Sequence, residues 1–197
     1  MRTLILTCAA LLTTASTAAA QARQAMPGRH FLELRPTAGA VMPTGDQRDV
    51  VEDAAAMGLQ LAWEQKPNLH FVASFGWSPA NHKFAGVTDN DVQVFQYDVG
   101  AEFNLIRPLG EAWELKPFLG LGVGGRTYDY DEATFDTNTC QAGYATVGTE
   151  FQRGAAALRL EARDYLYCFD DPVLDESQTR NDVALSVGVA YHVGHRR

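Results

Sequence analysis

The last regular stretch of the chain, Asp182 to Val193, alternates without a break. Val183, Leu185, Val187, Val189, Tyr191 and Val193 fall on one side, and Asp182, Ala184, Ser186, Gly188, Ala190 and His192 on the other. A period of two is a β-strand with one apolar and one polar or small face. Roughly 9–11 tilted residues are enough to cross a bilayer. In lipid such a strand is tolerated only where every backbone group is paired, which means a closed barrel. The remainder of the chain must then supply more strands of the same kind.

It supplies seven. The first runs from Phe31 to Val41, with Leu32, Leu34, Pro36, Ala38 and Ala40 on one face, and is expected to end at the turn residues Pro43 to Asp46. The second alternates from Met57 to Glu64 and turns at Gln65 to Asn68; the third runs from Leu69 to Ser78 and is expected to stop at Pro79. Phe95 to Phe103 and Pro117 to Tyr128 make the fourth and fifth, with Trp113 and Leu115 extending the latter downward. Tyr144 to Phe151 and Ala157 to Tyr167 make the sixth and seventh, joined at Gln152 to Gly154. Shorter connections alternate with longer acidic ones, as periplasmic turns alternate with extracellular loops. The expectation is an all-β chain forming an eight-stranded antiparallel up-and-down transmembrane β-barrel.

A soluble eight-stranded barrel would put its apolar face inside. Here the polar face carries Glu33, Arg35, Glu64, Asp98, Glu102, Arg126, Glu150, Arg159, Glu161 and Arg163, interleaved with glycines such as Gly100, Gly122, Gly148 and Gly188. Glycine on a water-exposed face weakens a strand for no gain, whereas inside a narrow barrel it frees room for long side chains. Trp63, Phe103, Phe151 and Tyr191 end descending strands and Trp77 an ascending one, where aromatic girdles belong. The polar face is therefore placed inward, as a paired network. Pro36, in a barrel without an edge, and Asp164, on the outward face, resist the scheme; Asp164 is expected near the outer rim.

With Arg153 and Gly154 as the turn residues, Thr146 would oppose Glu161, Tyr144 would oppose Arg163, and Gly148 would leave room beside Arg159. Cys140 and Cys168 lie nearly symmetrically about that turn, at the outer ends of neighbouring strands. In an oxidising compartment they are expected to form a disulfide, which needs a bulge because the simple register sets Cys140 against Tyr167.

The compartment is read from the first residues. Arg2, the apolar run Leu4 to Leu12 and the small residues ending at Ala20 suggest a signal peptide over 1–20, leaving 21–197 as the barrel domain. The net charge of -8 gathers in the acidic connections, with no basic stripe for nucleic acid. Those connections lack the spacing of a calcium loop, and no metal or cofactor is expected. The glycines of the fifth strand alternate strictly and open no helix, so they do not form a phosphate cradle. His70 and Ser74 share a face but lie roughly 13 Å apart along a strand, and His192 and Ser186 lie further apart. Neither makes a catalytic pair, and the chain is not expected to be an enzyme.

Leu32 to Gly39, Lys116 to Gly124, Leu158 to Tyr165 and the terminal strand together resemble the small outer-membrane β-barrel proteins of the OmpA, OmpX and opacity-protein kind, over essentially the whole mature chain. The resemblance implies residence in the bacterial outer membrane among its lipids and lipopolysaccharide, insertion by the barrel assembly machinery, and a monomer. It also implies a sorting signal in the last strand, matched by Ser186, Gly188, Tyr191 and Val193, with Val193 in place of the usual aromatic. The expected role is structural, porin-like or surface-interacting. A narrow ion channel or a lipid A-modifying enzyme is the alternative.

Overall fold

The structure, a computed structural model, describes residues 32–45, 48, 51–81, 83, 91–130, 137–170 and 177–193. The expected signal peptide lies outside them. In chain order the strands are β1 (Leu32–Thr44), β2 (Ala54–Lys66), β3 (Leu69–Asn81), β4 (Asp91–Asn104), β5 (Arg107–Leu109), β6 (Trp113–Tyr130), β7 (Asn138–Arg153), β8 (Ala156–Asp170) and β9 (Ser177–Val193). Each long strand pairs antiparallel with its neighbours in sequence, β1 pairs with β9, and β4 with β6, so eight strands close the wall. The short β5 pairs only with the foot of β6 and was not foreseen from the sequence.

The faces sort as the alternation demands. Leu59, Leu61, Phe71, Val99, Leu121, Val123, Val147, Leu160 and Val187 are exposed on the outside, while Arg35, Arg126, Arg159, Glu33 and Glu102 are among the most deeply buried side chains. This is the reverse of a soluble protein and fits a wall solvated by lipid. Trp63, Phe71, Phe103, Trp113 and Tyr191 face outward at the lower end, Phe75 and Tyr97 toward the upper. Asp164 faces outward where the wall turns polar: Asn181 beside it hydrogen-bonds its carboxylate, Gln141 and Thr179 follow above, and Leu166 is exposed two residues further along β8.

The prolines lie where a neighbour is missing. The β1–β2 ladder ends at Val41 against Ala54, so Pro43 pairs only with Asp182 of β9. The β2–β3 ladder ends at Met57 against Trp77, so Pro79 pairs only with Gln93 of β4. β1 ends at Thr44, within the expected turn, whereas β3 runs two residues past Pro79 to Asn81, because a missing N–H costs nothing on a side without a partner. Pro36 is different. The β1–β9 ladder pairs Leu34 with Tyr191 and resumes in the same register at Thr37 with Gly188, omitting Arg35 and Pro36.

The β7–β8 turn also departs from expectation. Gly154, at φ 64°, and Ala155 are the turn residues, and Arg153 pairs with Ala156. The register moves by two: Thr146 opposes Arg163, Tyr144 opposes Tyr165, and Gly148 opposes Glu161. An even shift leaves every side chain on its expected face. The expected disulfide is absent. Cys140 points into the barrel and is buried, whereas Cys168 is exposed on the outside, so the wall itself separates the thiols.

Candidate functional site

The lumen is where charged chemistry concentrates, and it is layered. Nine of the ten polar residues assigned to it, Glu33, Arg35, Asp98, Glu102, Arg126, Glu150, Arg159, Glu161 and Arg163, are buried; Glu64, at the foot of β2 opposite His70, is half-buried.

At mid-height two guanidiniums bridge the barrel. Arg159 of β8 donates to Glu150 of β7 at 2.5 Å, to Glu102 of β4 at 2.6 Å and to Glu161 at 2.8 Å. Arg35 of β1 donates to Glu33 at 2.6 Å and to Glu102 at 2.8 Å, and its Nη2 lies 3.5 Å from Glu150. Glu102 and Glu150 are therefore shared by cations from two strands, which ties four strands across the lumen. Phe118 lies under Arg159, with the guanidinium carbon 3.6 Å from the ring centroid, in the face-on geometry of a cation–π contact.

One layer up, Arg163 donates to Glu161 at 2.8 Å and to Asp98 at 3.0 Å, and Tyr165 donates to Asp98 at 3.0 Å. Tyr144 fits beside them only because Gly122 opposes it: a β-carbon at Gly122 would lie 2.5 Å from the tyrosine Cζ. A cavity of about 70 Å³ remains here, lined in part by Gln60, Ser74, Gln96, Glu161 and Arg163. Higher still, Arg126 pairs with Asp182 and has the rings of Tyr167, Tyr165 and Tyr128 at 5.0, 5.3 and 5.9 Å. Asp182 and the tyrosines were missed as partners, though their parity on the strands puts them on the same face.

Toward the outer end of the lumen apolar residues gather around the last charged groups, Arg126, Asp182 and Arg180. Val51, Ala80, Val92, Val94, Cys140 and Ala142 form one buried cluster with Tyr128, Tyr144, Tyr165 and Tyr167, three of whose rings surround Arg126. Both faces of the upper β4 are apolar, Val92 and Val94 inward and Phe95 and Tyr97 outward, so the alternation rule alone could not rank them.

At the opposite end, His192 of β9 places Nε2 2.6 Å from Glu33 and Nδ1 3.2 Å from the carbonyl oxygen of Ala155. His70 places Nδ1 3.1 Å from Arg35. These contacts engage the two histidines with charged and backbone groups rather than with a hydroxyl or thiol nucleophile. Of the residues matched to a sorting signal, Ser186 and Gly188 lie on the lumen face against Glu161 and Arg159 of β8, while Tyr191 and Val193 are exposed on the outer face at the lower end.

No family model matches the chain, and no curated protein matches it in sequence. Solved structures do match in shape. Neisserial surface protein A is similar at 11% identity and a TM-score of 0.59, covering 82% of this chain and 96% of that one. The outer membrane protein OprG from Pseudomonas aeruginosa is similar at 16% identity and a TM-score of 0.53, covering 84% of this chain and 96% of that one. Closed eight-stranded wall, apolar exterior and structural likeness agree that this chain has the fold of the small bacterial outer-membrane β-barrels.

Proposed function

We propose that this chain is an integral outer-membrane protein whose barrel is a closed, non-conducting anchor, with a structural or surface-interaction role carried by its acidic outer connections. The observation that carries this reading is the bridging of the lumen by Arg35, Arg159, Glu102 and Glu150 from β1, β8, β4 and β7. The apolar cluster above them adds a second barrier to ions. Lipids and lipopolysaccharide would surround the wall, and the barrel assembly machinery would read Ser186, Gly188, Tyr191 and Val193.

Planar-bilayer conductance of the refolded mature chain tests the reading, with heat-modifiable gel migration as proof of folding. A folded barrel that carries no current is the expected result. Discrete current steps that change when Arg159 or Glu161 is substituted would make the polar interior a path and overturn it. A change in lipid A mass on incubation with the folded barrel would overturn it in favour of an enzyme.

A further inference from the structure

The seam between the first and last strands is built unlike the rest of the wall. Its ladder omits Arg35 and Pro36, and just below that gap His192 joins three elements: its own strand, Glu33 of β1, and the β7–β8 turn through Ala155. Both ring nitrogens of His192 face oxygen atoms that carry no proton, a carboxylate and a backbone carbonyl. A neutral imidazole has one N–H and can satisfy only one of them; an imidazolium satisfies both. The Ala155 oxygen also accepts the backbone N–H of His192 at 2.9 Å, whereas the carboxylate depends on the imidazole. Glu33 Oε2 is held by Arg35, whereas Oε1 is buried and makes no hydrogen bond with any other described residue.

Lys116, which pairs in register with Glu150, also acts electrostatically on His192. The charged and titratable groups around the His192–Glu33 pair are thus Arg35 from β1, His70 from β3 and Lys116 from β6.

We infer that His192 is a charge-dependent clamp on the β1–β9 seam. As the imidazolium it holds β1, β9 and the β7–β8 turn together at the lower end. Loss of its proton leaves one N–H for two acceptors, so the side chain no longer holds β1 and the β7–β8 turn at once, and a seam already short of ladder bonds loosens from that end.

Amide hydrogen exchange of the refolded barrel, compared from about pH 5 to about pH 9 on either side of the ordinary histidine range and corrected for intrinsic exchange, tests this. Protection at 32–38 and 187–193 is expected to fall about tenfold relative to β3–β4 as His192 deprotonates, because one of the two side-chain hydrogen bonds at the lower end of the seam is lost. In H192Q the relative protection of the seam should no longer depend on pH, while H70Q should keep the dependence. Seam protection that is constant with pH in the wild type, that falls equally in β3–β4, or that keeps its pH dependence in H192Q would overturn the clamp. The wild-type titration stands alone if a variant fails to fold.

Discussion

Replacing Arg159 with glutamine is the perturbation that loads the lumen most directly. The side chain is 1% exposed and contacts three carboxylates, at 2.5 Å to Glu150, 2.6 Å to Glu102 and 2.8 Å to Glu161. Removing one member of a buried ion pair costs about 3–5 kcal/mol, because the remaining charge is left without compensation. Two of the three carboxylates keep a close guanidinium, Glu102 from Arg35 at 2.8 Å and Glu161 from Arg163 at 2.6 Å. Glu150 keeps Arg35 only at 3.5 Å, with Lys116 as its register partner on β6. One carboxylate is therefore seriously orphaned, which places the loss near the lower end, about 3 kcal/mol, with the lost stacking on Phe118 included. If Glu150 is the group that suffers, E150Q in the R159Q background should recover about 1–2 kcal/mol, a coupling of the size seen between contacting residues. Urea unfolding of the refolded barrel in detergent, read by tryptophan fluorescence and gel migration, measures both. A loss below about 1 kcal/mol for R159Q, within the range of an exposed pair, or a double variant no more stable than the single one, would refute the reasoning.

Three further outcomes are expected. G122A places a β-carbon against the Tyr144 ring and should cost about 1–3 kcal/mol in the same unfolding assay, as overpacking does. A water-soluble thiol reagent should label Cys168 of the folded barrel and leave Cys140 unmodified until denaturation, with gel migration identical with and without reductant. L121R, at a site 67% exposed on the apolar belt, should lower the stability of the lipid-embedded barrel by about 2–4 kcal/mol, while the same change at the exposed turn residue Ala155 should leave it unaltered, as vesicle refolding yields would show.

Alternation made the eight crossing strands and the side of each residue legible in the sequence, because inside and outside of a thin wall depend on parity alone. Register is a different kind of information. It hangs on which two residues make a turn, and choosing Arg153 and Gly154 over Gly154 and Ala155 moved every β7–β8 partner by two while disturbing no face. Pro79 looked like a strand end because a proline's cost depends on whether a neighbouring strand is present, and that is a property of the closed sheet. The cysteines failed for a related reason. Symmetry about a turn brings two residues to one height, but bonding also requires one face, and Cys140 and Cys168 have opposite parity about the observed turn. Within the lumen the charged residues were readable by type and face. Which carboxylate Arg159 would share with Arg35 was not, since that is set by tilt and by long side chains crossing from strands distant in sequence.

The apolar cluster at the outer end has a consequence for how the molecule could be altered. Val51, Val92, Val94, Tyr128 and Tyr167 form a small, largely apolar core above the mid-height ion pairs. It acts as a packed floor over the mid-height carboxylates, with Arg126 and Arg180 its charged members. Surface and membrane halves are thereby separated into modules, one free to diversify its sequence and the other bound to its pairing. Such a barrel is a suitable carrier for displayed peptides, and its tolerance for them should be limited by the integrity of this floor rather than by the ion pairs below it.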